Sequence, residues 1–99
     1  MLKAAFIFIA RGFEGRTEAK TIDTPQVSLT TIGVSSYSYA CEVAKELHKD
    51  GYAAIELCSG FGYKGASMIA DAVNNEIPVG AVRFDYIAGA GPSGDTLFM

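Results

Sequence analysis

Lys3-Ala-Ala-Phe-Ile-Phe-Ile9 is apolar at nearly every position and rich in β-formers, the pattern of a strand covered on both faces. Residues 27–34 are largely β-branched and alternate Val27, Leu29 and Thr31 against Ser28, Thr30 and Ile32, which predicts a second strand with one drier face. Serines at 35, 36 and 38 then offer caps to a segment in which Ala40, Val43, Ala44 and Leu47 recur at i, i+3, i+4 and i+7. A helix follows over about residues 38–50, stopped by Gly51. Residues 53–58 read as a third strand, and residues 64–73 as a second helix ended by Asn74 and Asn75. Residues 77–84 read as a fourth strand with Pro78 at its mouth, where a missing N–H is tolerated. Between the first two strands the chain turns polar, punctuated by Gly12, Gly15 and Pro25, with room for a short third helix within residues 14–22. The Gly-rich stretch 88–95 reads as a mobile tail.

Strand, helix, strand, helix, strand over residues 27–84 makes two consecutive βαβ units, whose crossovers are right-handed in nearly all proteins. The expected fold is α/β: one domain over residues 1–99, with a four-stranded, mostly parallel sheet and two main helices packed on one face. The pattern does not set the direction of the first strand. If both crossovers advance the same way, little chain is left for the other sheet face, which must then be polar or an interface. A homo-oligomer is the expected consequence, supported by Tyr37, Tyr39, Phe61, Tyr63 and Tyr86, which suit interface anchors as well as core packing.

At 99 residues the chain fits one core, and 49% apolar with 19% charged residues is a globular balance. A net charge of -3 with scattered Lys and Arg argues against nucleic acid as a partner. The opening apolar run is far shorter than the ~20 residues of a membrane span. It is flanked by Lys3 and by the charged segment 11–16 rather than by a cleavage site, so no membrane partner and a cytoplasmic location are expected. Two cysteines, Cys41 and Cys58, are too few for a disulfide framework.

The sharpest chemical feature is Cys58-Ser-Gly-Phe-Gly-Tyr-Lys-Gly65, a glycine-rich turn between the end of a parallel strand and a helix N-terminus. Free backbone N–H groups and the helix dipole favour an anion there, and open α/β sheets bind ligands at the carboxyl ends of their strands. The ligand-binding candidates are Arg11, Ser59, Gly60, Phe61, Gly62, Tyr63 and Arg83, and the partner a small anionic metabolite. Gly60, Gly62 and Gly65 match neither the phosphate loop nor the dinucleotide fingerprint, so no cofactor is implied. The same glycines also suit a plain tight turn with Phe61 as a lid on the core.

Glu56 and Arg83 interrupt otherwise apolar strands and are expected to meet, with Asp85, on the helix-free face. Glu56, Asp85 and Cys58 are the candidates for catalysis, against the readings of a structural ion pair or subunit contact for the charges and a core thiol for the cysteine. His48, between Lys45 and Lys49 on a helix face, reads as solvated, and no His, Cys, Asp and Glu spacing suggests a metal.

Glu56-Leu-Cys-Ser-Gly-Phe-Gly62, Pro78-Val-Gly-Ala-Val-Arg-Phe-Asp85 and the closing Ser93-Gly-Asp95 resemble a family of small prokaryotic proteins catalogued only as a domain of unknown function. The likeness spans nearly the whole chain and implies a stand-alone cytoplasmic domain, with no activity, cofactor or catalytic residue to transfer. Two function classes stay open: a small-molecule site, catalytic or not, at the glycine-rich loop, and a self-associating structural or regulatory module.

Overall fold

A computed structural model describes residues 1–12, 18–83, 95 and 98. The elements run β1 (Leu2–Ile9), β2 (Ala19–Asp23), β3 (Val27–Val34), α1 (Tyr37–Lys49), β4 (Ala54–Leu57), α2 (Tyr63–Ala72) and β5 (Val79–Ala81). They form one five-stranded sheet in the order β2-β3-β1-β4-β5. All neighbouring pairs are parallel except the antiparallel β2–β3 pair.

The α/β fold with two helices and a mostly parallel sheet is therefore as expected, but the sheet has a fifth strand. The room for a helix within residues 14–22 is taken at its end by β2, every residue of which is exposed. A fully exposed edge strand has no dry face, so its Ala-Lys-Thr-Ile-Asp sequence lacks the apolar alternation by which strands are recognised. It is held by its ladder to β3 and by the turn in which Thr24 Oγ1 receives the Val27 N–H, 2.9 Å, and donates to the Val27 carbonyl, 2.7 Å. Residues 13–17 lie outside the described set, as do most of the stretch read as a tail and the end of the expected fourth strand at Phe84.

The first strand is parallel and occupies the centre of the sheet, inserted between β3 and β4. The β3–α1–β4 crossover therefore steps over β1, and β4–α2–β5 continues in the same direction. Two right-handed crossovers advancing the same way put both helices on one face. That face carries the core: Ala5, Ile7 and Ile9 of β1, Ile32 and Val34 of β3, and Ile55 and Leu57 of β4, against Tyr37, Ala40, Ala44 and Leu47 of α1 and Ile69 of α2. Each buried Val, Leu or Ile side chain there contributes roughly 1.5–3 kcal/mol by leaving water.

The helix ends follow from local chemistry. Ser36 caps α1 by accepting the Tyr39 N–H at 3.1 Å, and Gly51 leaves the helix at φ 86. Asn74 and Asn75, at φ 56 and 55, turn the chain out of α2 as the paired asparagines suggest. The N-cap of α2 is Gly62, which has no side chain with which to cap. Among the described residues no helix is long and apolar enough to cross a membrane.

Candidate functional site

Because β1, β3, β4 and β5 all run the same way, their carboxyl ends share one edge of the sheet. The chain leaves β1 towards β3 and β2 but leaves β4 towards β5, so the two central strands part at this edge. Such a divergence is where open α/β sheets form a crevice. Cys58 ties β1 to the loop after β4 at this edge: Sγ receives the N–H of Ile9 from β1 and of Gly60 from its own loop, each at 3.4 Å. Gly60 has no Cβ because Ile9 Cγ2 would lie 2.7 Å from one.

The α2 N-terminus follows this loop, and its donors are engaged by a carboxylate of the chain itself. Asp95 Oδ2 accepts the Lys64 N–H at 3.1 Å, while Oδ1 accepts the Gly65 N–H at 3.1 Å and the Tyr37 hydroxyl at 2.9 Å. The Tyr37 hydroxyl in turn accepts the Gly62 N–H at 2.9 Å. The first turn of α2 is thus capped from across the fold, and the glycines make the approach feasible. A Cβ on Gly62 would run into the Asp95 carboxyl, and one on Gly65 into the Tyr37 ring. The closing segment is also tied to α1, where the Tyr37 N–H reaches the Phe98 carbonyl at 3.4 Å and Phe98 packs on the core.

The electrostatics agree with this geometry. Burial pushes the Tyr37 hydroxyl up to about 12; the Gly62 N–H opposes it, while the Asp95 carboxylate and the nearby Cys58 reinforce it. At Asp95 burial works against the charge, but the Lys64 N–H, the Tyr37 hydroxyl, the Gly65 N–H and the Lys64 charge outweigh it and hold the carboxyl below its ordinary value.

The candidates read from the sequence separate on this frame. Arg11 lies exposed in the turn after β1, and Ser59 is half-buried in the loop after Cys58. Phe61 is buried and stacks on Tyr37 with centroids 5.4 Å apart, so its ring belongs to the core. Tyr63 is 72% exposed at the start of α2. Arg83 follows β5 with its guanidinium carbon 5.1 Å from the Tyr63 ring centroid. These residues border one edge.

Glu56 does not join them, and the expected meeting with Arg83 does not occur. Ile55 pairs with Val79 and Glu56 with Gly80, and paired residues share a face, so Glu56 points to the helix-free side. Arg83 has the parity of Val79 and turns to the helix side, where Tyr63 begins α2. Among the described residues the ion pairs are Lys45–Glu42 at 3.3 Å and His48–Glu76 at 3.2 Å. Asp85 lies outside the described residues. His48, at the far end of α1, cannot assist the Cys58 thiol, and Cys41 is kept a thiol chiefly by burial.

Sequence reading missed Tyr37 and Asp95. Tyr37 lies on the same face as Ala40 and Ala44 but precedes residue 38, where the serines place the expected start of the helix, and Asp95 closes a glycine-rich tail. The available signal was the Ser93-Gly-Asp95 motif carried by the family resemblance.

The class defined by these features is a small α/β protein whose parallel-sheet edge carries a helix-terminal carboxylate cradle. The chain belongs to the family of unknown function DUF6506, whose model matches residues 2–92. No curated protein and no solved structure matches it.

Proposed function

We propose that this chain is a binding module for a small anionic ligand, received at the carboxyl edge of the sheet by the N-terminus of α2. The observation that carries the reading is the seated Asp95 carboxylate, held by the Tyr37 hydroxyl and the Lys64 and Gly65 N–H groups. Three convergent donors at a helix N-terminus accept an anion of any origin with carboxylate or phosphate geometry. Arg11 and Arg83 emerge at the same edge, after β1 and β5, and supply positive charge for the rest of such a ligand. In this reading Asp95 is an internal occupant that an incoming anion replaces, and Ser59 and Tyr63 border the entrance.

Binding rather than catalysis fits the neighbourhood of Cys58, whose sulfur is occupied by two backbone N–H groups and whose chain has its one histidine elsewhere. The test is a melting experiment on Asp95→Ala titrated with formate, acetate and inorganic phosphate. Refilling of the cradle raises the melting temperature of the variant with anion concentration, and that of the wild type far less. If none of the three anions stabilises Asp95→Ala beyond a chloride control, the cradle is a structural cap and the reading fails.

A further inference from the structure

We infer that the helix-free face of the sheet is the contact between two copies of this chain, packed face to face about a twofold axis that runs parallel to the strands between β3 and β1. This goes beyond the ligand-binding reading and rests on other residues. No described element packs on that face, and the register defines what it displays.

One rung across the sheet reads Lys20, Thr31, Phe6, Glu56 and Gly80. The neighbouring rung reads Ile22, Leu29, Ala4 and Ala54. Both lie on the side opposite Thr30, Ile32, Ile7 and Ile55, which face the helices. Ile22 is 65% exposed, an unusual setting for a β-branched aliphatic on an edge strand. Lys20 and Glu56 have no ion-pair partner among the described residues, and a Cβ on Gly80, beside Glu56, would meet nothing within 4 Å.

A twofold axis along the strands keeps each rung opposite itself while exchanging β2 with β4 and β3 with β1. Lys20 of one copy then stands over Glu56 of the second copy, and the reciprocal pair forms on the other side of the axis. The apolar positions match as well: Ile22 meets Ala54, Leu29 meets Ala4, and Phe6 meets Thr31, a large side chain against a small one each time. That is the interdigitation face-to-face sheets need at their ~10 Å spacing. A twofold axis across the strands would instead set Lys20 over Lys20 and Glu56 over Glu56, so the charge pattern selects the first arrangement. Isologous self-complementarity of this kind is the rule in homodimers.

The lengths of β1 to β4, at ~3.3 Å per residue and ~4.8 Å between strands, give a footprint on the order of 400 Å² per copy, with β5 outside the overlap. Twice that is below the ~1,000 Å² of a stable specific interface, so the dimer is weak and in concentration-dependent exchange with monomer.

The experiment is sedimentation of the full chain over about 1–200 µM, a range suited to a small interface. The wild type populates dimer in this range. Lys20→Glu and Glu56→Lys each weaken dimerisation at least about tenfold through like charges set face to face, and the double reversal restores it. Both side chains are exposed, so the monomers keep their fold; should a reversal fail to fold, Ile22→Glu carries the same expectation of dissociation. A wild type that stays monomeric throughout, a dimer indifferent to both single reversals, or a double variant no tighter than the singles each overturns the proposal.

Discussion

Replacing Asp95 with Ala removes one carboxylate and leaves three donors without their acceptor. The Lys64 and Gly65 N–H groups belong to the first turn of α2, whose N-cap is a glycine, so this carboxylate serves as the missing cap. Loss of a capping side chain costs about 1 kcal/mol. The third donor differs, because Tyr37 is only 1% exposed and its hydroxyl proton is not readily handed to water. An unsatisfied buried donor adds about 1 kcal/mol or more. The two contributions give a loss of about 2 kcal/mol, or a fall in melting temperature on the order of 10 °C for a domain of this length.

Calorimetric melts of wild type and Asp95→Ala near neutral pH measure it directly, and a second pair of melts in acid checks the cause. Because the native carboxyl is held below its ordinary value of 3.8, its contribution is complete above that value. It disappears as the pH falls through the lower native one, so the two curves converge in acid. Asp95→Asn keeps a carbonyl acceptor without the charge and falls between the two. A melting temperature for Asp95→Ala within about 2 °C of wild type at neutral pH would refute the reasoning, since it would mean that water replaces the carboxylate at no cost.

Two further substitutions probe the same corner. Tyr37 is raised from 10.0 to about 12, so its contribution is complete below pH 10 and is lost as the pH rises towards 12, a change on the order of 2 kcal/mol. Tyr37→Phe flattens that alkaline decline, and equal slopes in urea titrations of both proteins would contradict the assignment. Gly65→Ala gains about 1 kcal/mol of helix propensity but drives a methyl into the Tyr37 ring, costing about 1–3 kcal/mol. The net effect is destabilising in urea unfolding; a more stable variant would show that the ring moves aside freely.

The parts of the fold legible in the sequence were those with a dry face. The stripe Ala40, Ala44, Leu47 and the alternation in residues 27–34 exist because one side of each element is buried, and burial is what periodicity reports. The strand β2 buries nothing, so it left no such mark. The central position of β1 was equally silent, since a strand apolar at nearly every position reads alike wherever it lies in the sheet. Of the site, the loop 58–65 announced itself through glycines required by close contacts with Ile9, Asp95 and Tyr37. The Glu56–Arg83 pair was not legible because alternation within each strand does not give the register of one strand on the other. The register of β4 on β5 puts the two residues on opposite faces.

If the edge receives an anion as proposed, the internal carboxylate also bears on how tightly that ligand binds. A helix N-terminus left open for a ligand would sit with hydrated donors; here the donors are satisfied intramolecularly, and an incoming anion has to displace Asp95 before it gains anything. If closure is worth about 2 kcal/mol, the open state amounts to roughly one molecule in 30, and apparent affinity is weakened by the same factor. The ligand that wins is therefore one that uses more than the cradle, and Arg11 and Arg83 at the same edge are the groups positioned to supply the excess. A single carboxylate such as formate has no second contact to offer and is disfavoured in the wild type, whereas a ligand with two separated anionic groups reaches both the helix end and an arginine. On the proposed function, selectivity follows from the competition: the internal acid sets a threshold that simple anions do not cross, and binding is reserved for molecules with a second anchoring charge.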